Sequence, residues 1–309
     1  MPTTLANQRI AFFNGKYVPE REVVIPFRDR SFTRGDGAFD MTRSFNGRIF
    51  KIKEHIDRFY RSLKYVAIDP GMNPKEMIEV SEEVLARNRH LLGKDEDYWI
   101  AQRVSRGVEA VGDEGWDHVD ANVIVDCVPL PFKKRAKLYR DGMHVVVPPT
   151  RRVAPSMLSP RAKMHQYMNL VIADMEAKVG DPDAVAVLLD ENGNLAEGAG
   201  ANIFVVRDGE IWTPHSRYVL PGISRATAIE LAAKLGIPAQ EKDLDVFDAV
   251  TADEIFITST SYCICPVARF NGRTIGDGKV PGPITARLTK AYVELVDCDF
   301  VRQYTRHLD

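Results

Sequence analysis

Several short stretches carry residue types suited to chemistry. In LPGISR, Gly222 precedes a helix whose first turn contains Ile223 and Ser224, so unpaired N–H groups face the preceding loop. TSTSY, at 258–262, offers the hydroxyls and backbone donors of Thr260 and Ser261 in one turn after a strand. Arg58, in HIDRFYRSL, lies on a mostly apolar helix face beside Phe59. All three suit an anion. Each also has a plainer reading: Ser224 caps its helix, and Arg58 is a solvated salt-bridge arginine. Lys163 follows APSMLSPRA and opens a helix, where the dipole disfavours a cation and calls for a reason. It is also one of many basic residues. Glu197 stands in LAEGAGANIF, among small residues that let another group approach closely; otherwise it is an ordinary turn carboxylate.

Other chemistries lack their residues. There is no Gly-x-x-x-x-Gly-Lys-[Ser/Thr] phosphate loop, and Gly198-Ala199-Gly200 has neither the third glycine nor the helix of a dinucleotide site. No Gly-x-Ser-x-Gly elbow marks a serine hydrolase. The seven histidines are scattered without a His-x-x-x-His pair, so no metal is expected. Cys263 and Cys265 have no second pair to complete a zinc site and read as strand residues facing the same way. With 41 Lys+Arg against 43 Asp+Glu, the formal net charge of -2 gives no reason to bind nucleic acid or an anionic membrane. At 45% hydrophobic and 27% charged, the 309 residues suit a chain with a core and two domains. No apolar run is long enough to span a membrane, and the N-terminus lacks the basic-then-apolar order of a secretory signal. Four cysteines in this length argue against a disulfide scaffold and predict a cytoplasmic protein.

The elements that must position these residues alternate in type. AFFNGKYVP and REVVIPF show the short apolar runs and Asn-Gly turn of a hairpin, and FDMTRSFNGRIFKI repeats the pattern around Asn46-Gly47. KEHIDRFYRSLKYVAI has helical spacing through Ile56, Phe59, Leu63 and Val66, and Asn73 before Pro74 starts a second helix. YWIAQRVSRG and ANVIVDCVPL are further strands. The basic, Pro-opened stretch 132–141 reads as an inter-domain connection. It separates a small N-terminal α+β domain, 1–131, from a large C-terminal domain, 142–309. The latter restarts with strand MHVVVPP. It continues as a helix over AKMHQYMNLVIADMEAKVG to Gly180, strands joined by Gly-rich turns, a helix closed by Gly236, more strand and a last helix. The fold class is α+β with mainly antiparallel sheets and flanking helices, because several connections are too short for crossover helices.

These stretches occur in the order of one family. From RGDGAFD and EHIDRFYRSL through KMHQYMNLVIADMEA, LAEGAGANIF and LPGISRATAIELA to ADEIFITSTSYCICPV and IGDGKVPGPIT, the chain resembles the class IV aminotransferases. These are the fold type IV pyridoxal phosphate enzymes, which include branched-chain, D-amino-acid and (R)-selective amine transaminases and aminodeoxychorismate lyase. The resemblance implies a two-domain, D-amino-acid-aminotransferase-like fold whose large domain anchors pyridoxal 5'-phosphate. It implies that Lys163 forms the internal Schiff base, and Glu176-Ala177 stands at the family's spacing from that lysine. Glu197 would meet the pyridine nitrogen, while Arg58, Ile223 with Ser224, and Thr260 with Ser261 would hold the phosphate. Tyr167 would lie near the cofactor's phenolic oxygen and Phe39 in the substrate pocket.

The implied function is a ping-pong transaminase moving an amino group from an amino acid or primary amine, (R)-configured donors included, to a 2-oxo acid. A homodimer is implied as well. The alternatives are a branched-chain amino-acid aminotransferase proper, a lyase of the aminodeoxychorismate type, and, outside the family, a non-catalytic cofactor-binding protein. The chain departs from its subfamilies where substrate is read. Branched-chain enzymes carry Tyr-x-Arg against Trp99-Ile100-Ala101 here, and D-amino-acid enzymes carry Arg-x-His against Val111-Gly112-Asp113. Arg43 is then the first choice to serve the acceptor's carboxylate, Arg106 the second, with Arg103 also able to face the pocket. Trp99 would supply an apolar wall.

Overall fold

The computed structural model describes residues 8–109 and 120–308, which fall into two compact units. The first holds the chain up to Leu130 together with Ala162–Tyr167, and the second holds Pro131–Arg161 and the chain from Met168 onward.

In the first unit, β1 (Ile10–Phe13) and β2 (Lys16–Pro19) form the predicted hairpin. Asn14 and Gly15 both take positive φ, 46° and 86°, the two-residue turn whose twist matches its strands. There follow α1 (Arg30–Arg34), β3 (Gly37–Phe45), β4 (Arg48–Ile49), α2 (Ile52–Tyr65), α3 (Pro74–Asn88), β5 (Tyr98–Ser105) and β6 (Val123–Pro129). The sheet is antiparallel throughout, in the order β2-β1-β6-β5-β3-β4. Asn73 starts α3 as expected: its side chain accepts from the N–H groups of Lys75 and Glu76, and Glu76 returns the bond to Asn73 N.

Side chains alternate across the sheet. Ala38, Ile100, Val104, Val125 and Cys127 join Ile56, Phe59 and Leu63 of α2 and Met77 and Val84 of α3 in one buried core. Burying each large apolar side chain there is worth about 1.5–3 kcal/mol. Strand register puts Phe39, Met41 and Arg43 of β3 beside Arg103, Ala101 and Trp99 of β5 on the opposite face.

The second unit opens with α4 (Phe132–Asp141), so the stretch predicted as a connection is helical and belongs to this unit. Phe132, Ala136 and Tyr139 recur at helical spacing and are buried, and Phe132 and Tyr139 both pack on Tyr304. The many basic residues of the stretch hide that apolar stripe from a composition reading. Next come β7 (Met143–Val146), α5 (Met168–Ala177), β8 (Val185–Leu189), β9 (Leu195–Gly198), β10 (Ala201–Arg207) and β11 (Glu210–Thr213). Then follow α6 (Ile223–Lys234), β12 (Ala239–Glu241), α7 (Val246–Val250), β13 (Glu254–Ser259), β14 (Cys263–Phe270), β15 (Arg273–Thr274), α8 (Pro283–Val296) and α9 (Phe300–Thr305).

The strand order is β12-β11-β10-β13-β14-β7-β8-β9, with β15 on β14. Because β9 also pairs with β10, six of these strands close into a ring. Pairing is mostly antiparallel, with β11–β12, β14–β7 and β7–β8 parallel. Cys263 and Cys265 are both buried on β14, as strand residues.

Two further expectations are corrected. The apolar run REVVIPF forms no strand: Glu20–Glu22 is a short 3-10 turn, and Val24, Ile25 and Phe27 beyond it are exposed, with Pro26 unable to donate to a ladder. The helix predicted to open at Lys163 begins only at Met168. Residues ahead of it run alongside β3: Met164 bridges Ala38, Phe39 N donates to Lys163 O at 3.0 Å, and His165 N donates to Gly37 O at 2.9 Å. Backbone groups of a neighbouring strand claim this segment before a helix can use it.

Candidate active site

In the first unit the site is built around Lys163, which is only 8% exposed. Its backbone is held on two sides, since Lys163 N donates to Ser62 Oγ on α2 at 3.0 Å while Lys163 O accepts from β3. The side chain is thereby aimed at two aromatic residues. Nζ donates to Tyr167 Oη at 3.3 Å and stands 4.6 Å from the centre of the Phe39 ring. Phe39 meets Tyr167 edge-on and stacks on His165, with ring centres 5.4 Å and 5.6 Å apart. His165 Nδ1 lies 2.7 Å from Ser31 Oγ, and its Nε2 is buried with no hydrogen-bond partner among the described residues. Burial, with Arg103 adding to it, pushes the His165 imidazole down to about 4. Lys163, Tyr167 and Phe39, three of the candidate residues, are thus brought together. Among the described residues, no carboxylate pairs with the lysine amine.

Arg58 lies on the buried face of α2. It donates from Nε to Asp40 Oδ2 at 2.8 Å and from Nη2 to Asp40 Oδ1 at 2.7 Å. His55 Nδ1 sits 2.7 Å from the same carboxylate. Burial opposes ionisation of Asp40, but the Arg58 guanidinium and His55 outweigh it and hold the carboxyl well below the usual carboxylate range. Burial also lowers His55, more than Asp40 raises it, so the pair at neutral pH is an ionised Asp40 beside a neutral imidazole. The solvated salt-bridge reading of Arg58 does not hold.

The predicted substrate arginines differ in surroundings. Arg43 is 1% exposed, donates from Nε to Ser44 O at 3.2 Å, and covers the Phe45 ring at 4.0 Å. Trp99 pairs with it across β3 and β5. Arg106 is tied down by Asp36 at 2.8 Å and 3.1 Å and by the carbonyls of Ala67 and Val66 at 2.8 Å and 2.7 Å. Val111, Gly112 and Asp113 lie outside the described residues.

In the second unit, Glu197 is on β9 and 4% exposed, so it is a strand residue rather than a turn carboxylate. Its Oε1 accepts from Arg152 Nε at 3.0 Å and its Oε2 from Leu220 N at 2.9 Å. Leu220 leads into α6, whose N-cap is Gly222. A Cβ at Gly222 would collide with Asn202 Oδ1, and Asn202 Nδ2 in turn donates to Leu220 O at 3.1 Å.

No side chain caps α6, so its first-turn N–H groups, those of Ile223 and Ser224 among them, are left open to an acceptor. The Ser224 hydroxyl, read as a candidate cap, instead donates to Ser259 O at 2.9 Å. Ser259 Oγ lies 3.4 Å from Ser261 Oγ in the turn between β13 and β14, where Thr260 also sits. LPGISR and TSTSY therefore form one hydroxyl- and amide-rich corner, suited to a phosphate dianion.

Several members of these clusters escape a sequence reading. Arg152 beside Glu197 and Ser62 beside Lys163 are joined to their partners only by the tertiary fold. Arg135 on α4, in the stretch read as a connection, donates to Ser261 Oγ at 2.6 Å and lies 4.3 Å over the Tyr262 ring. Asp40 did leave a signal: strand alternation puts a charge on the apolar face of β3, where it needs a buried cation.

Among the described residues, no group of three or more His, Cys, Asp or Glu could hold a metal, and no helix is long and apolar enough to cross a membrane. The amino-transferase class IV family matches residues 37–270. A protein of Methanocaldococcus jannaschii named for branched-chain-amino-acid aminotransferase activity is 36% identical over 286 residues, 92% of this chain and 95% of that protein. The D-alanine aminotransferase of Staphylococcus haemolyticus is 26% identical, covering 93% of this chain and 97% of its own. A branched-chain amino acid aminotransferase of T.th., solved with pyridoxamine 5'-phosphate, superposes with a TM-score of 0.84 at 29% identity, covering 96% of this chain and 97% of its own. The chain belongs to the class IV aminotransferases.

Proposed function

We infer that the protein is a pyridoxal 5'-phosphate-dependent transaminase that takes an amino group from an amino acid or primary amine and delivers it to a 2-oxo acid. The observation that carries this reading is a buried lysine amine beside Phe39 and Tyr167 with no carboxylate partner among the described residues. A structural lysine so buried would be paired, whereas one kept for covalent attachment must stay nucleophilic.

The residues present fit the cofactor's chemistry. Lys163 Nζ supplies the amine that attaches it. The open first turn of α6, Ser224, Thr260 and Ser261 supply donors for its phosphate, and Arg58 supplies a cation. The Glu197 carboxylate, held by Arg152 and Leu220 N, would supply the negative charge that keeps a proton on the pyridine nitrogen. When bound, pyridoxal 5'-phosphate would supply an aldehyde carbon that takes up the amino group in place of its oxygen, and a ring that takes up electron density from the donor's Cα. Lys163 Nζ would take the proton from the donor's Cα as a general base and, as a general acid, deliver it to the cofactor's C4′ carbon, so that the donor leaves as a carbonyl compound and the nitrogen stays behind for the 2-oxo acid. Tyr167 Oη orients that amine through its hydrogen bond.

Nitrogen transfer is tested with D-alanine, L-leucine, L-glutamate and (R)-1-phenylethylamine, each with pyruvate and 2-oxoglutarate. Transfer from at least one donor is expected. Elimination products without transfer would point to lyase chemistry instead.

We also propose a cytoplasmic homodimer. All four cysteines are free thiols, which suits a reducing compartment. On α5 and just beyond it, Met168, Val171, Ile172, Met175 and Val179 form an exposed apolar stripe that a second copy would cover. Light scattering should give twice the chain mass, and a single-chain mass at full activity would refute the dimer.

A further inference from the structure

We propose that Arg103 reads the carboxylate of the substrate and that Asp126 is the positioning residue that presents it, an assignment that rests on the transaminase reading of this site. Register places Arg103 directly across from Phe39 on the sheet face turned away from the helices. Its Cζ is 5.9 Å from the centre of the same Phe39 ring that Lys163 Nζ approaches at 4.6 Å. Guanidinium and reacting amine thus both stand against one aromatic ring.

The hydrogen bonding of Arg103 supports this role. Its Nε donates to Asp126 Oδ2 at 3.1 Å, which fixes the plane of the guanidinium by one edge. Among the described residues, Nη1 and Nη2 have no partner, so the fork that grips a carboxylate through two parallel bonds is open. The side chain is 37% exposed, whereas Asp126 beneath it is 15% exposed. Arg43 shares this face but is sunk against Phe45, and every nitrogen of Arg106 is already spent on Asp36 and two carbonyls. Ala101, next along β5 on the same face, brings no charge.

The pairing also explains how one site could serve donors with and without an α-carboxylate. Carboxylate-bearing substrates occupy the open fork. With an amine donor, Arg103 keeps Asp126 and solvent, and no buried charge is stranded.

The test is calorimetric binding of 4-methylvalerate, a monocarboxylate with no amino group, to the holoenzyme and to Arg103→Gln and Arg103→Lys. Cofactor content is measured in each by borohydride fixation. Arg103→Gln should weaken binding at least ~30-fold, the size expected for a lost charge-assisted carboxylate contact, and Arg103→Lys should regain part of the loss. Cofactor content should not change. Binding by Arg103→Gln within about threefold of the parent would overturn the assignment, since a surface contact alone accounts for that much. So would equal loss in both variants accompanied by loss of cofactor, which marks a merely structural arginine. A parent enzyme that binds 4-methylvalerate but transfers no nitrogen from any donor would defeat the transaminase reading and leave the arginine assignment standing.

Discussion

Arg58 and Asp40 meet through two buried hydrogen bonds of 2.8 Å and 2.7 Å, one to each carboxylate oxygen. The pair ties α2 to β3 and sets the direction of a guanidinium proposed to face a phosphate. Removing one partner of such a buried pair strands the other charge, at a cost of about 3–5 kcal/mol. Asp40→Asn should therefore lower the unfolding free energy by about that amount and weaken cofactor retention on dialysis. Urea unfolding and residual cofactor absorbance measure the two effects. A loss under about 1 kcal/mol with full retention would show that the pair is dispensable.

Glu197 accepts from Arg152 and from Leu220 N, so its carboxylate is fixed before any ligand arrives. Glu197→Gln keeps the shape but removes the charge that would hold a proton on the pyridine nitrogen. Turnover should fall about 100-fold or more, in the range seen for loss of a strong electrostatic contact. Stopped-flow measurement of a single half-reaction checks this, and a rate within about twofold of the parent, far short of such a contact's worth, would remove Glu197 from the chemistry.

His165 is buried neutral, its value pushed from 6.5 down to about 4. The unfolded chain takes up a proton on this ring near 6.5, while the folded protein resists until about 4. Stability should therefore fall as pH drops through that window, by about 3 kcal/mol at most from this group, and level off below it. His165→Gln should flatten the dependence of the urea midpoint between about pH 6.5 and 4.5, where the folded and unfolded chains differ in bound protons. An unchanged slope would mean that the ring does not titrate as its surroundings dictate.

Local physics made much of this legible. The Asn14-Gly15 turn, the Asn73 cap and the apolar stripe of α2 depend on residues close in sequence, and they form as the sequence predicts. What stayed hidden depends on distant partners. Residues 162–167 have helix-compatible side chains, yet they are taken by backbone groups of β3. Arg43 and Arg103 share a face by simple alternation, but only packing against Phe45 distinguishes a sunken arginine from an open one. Arg152 and Arg135 gave no signal because nothing in their own stretches points to Glu197 or Ser261. Ser224 is legible as a first-turn residue, but its hydroxyl donates to Ser259 O at the end of a distant strand, which its own stretch does not specify.

Borohydride reduction of the purified holoenzyme, followed by peptide mass mapping, tests most directly the claim that Lys163 carries the chemistry. The phosphopyridoxyl group should be found on the peptide containing Lys163, and Lys163→Ala should show neither label nor transamination. Label on any other lysine, or nitrogen transfer by Lys163→Ala at the parent's rate, would contradict the account.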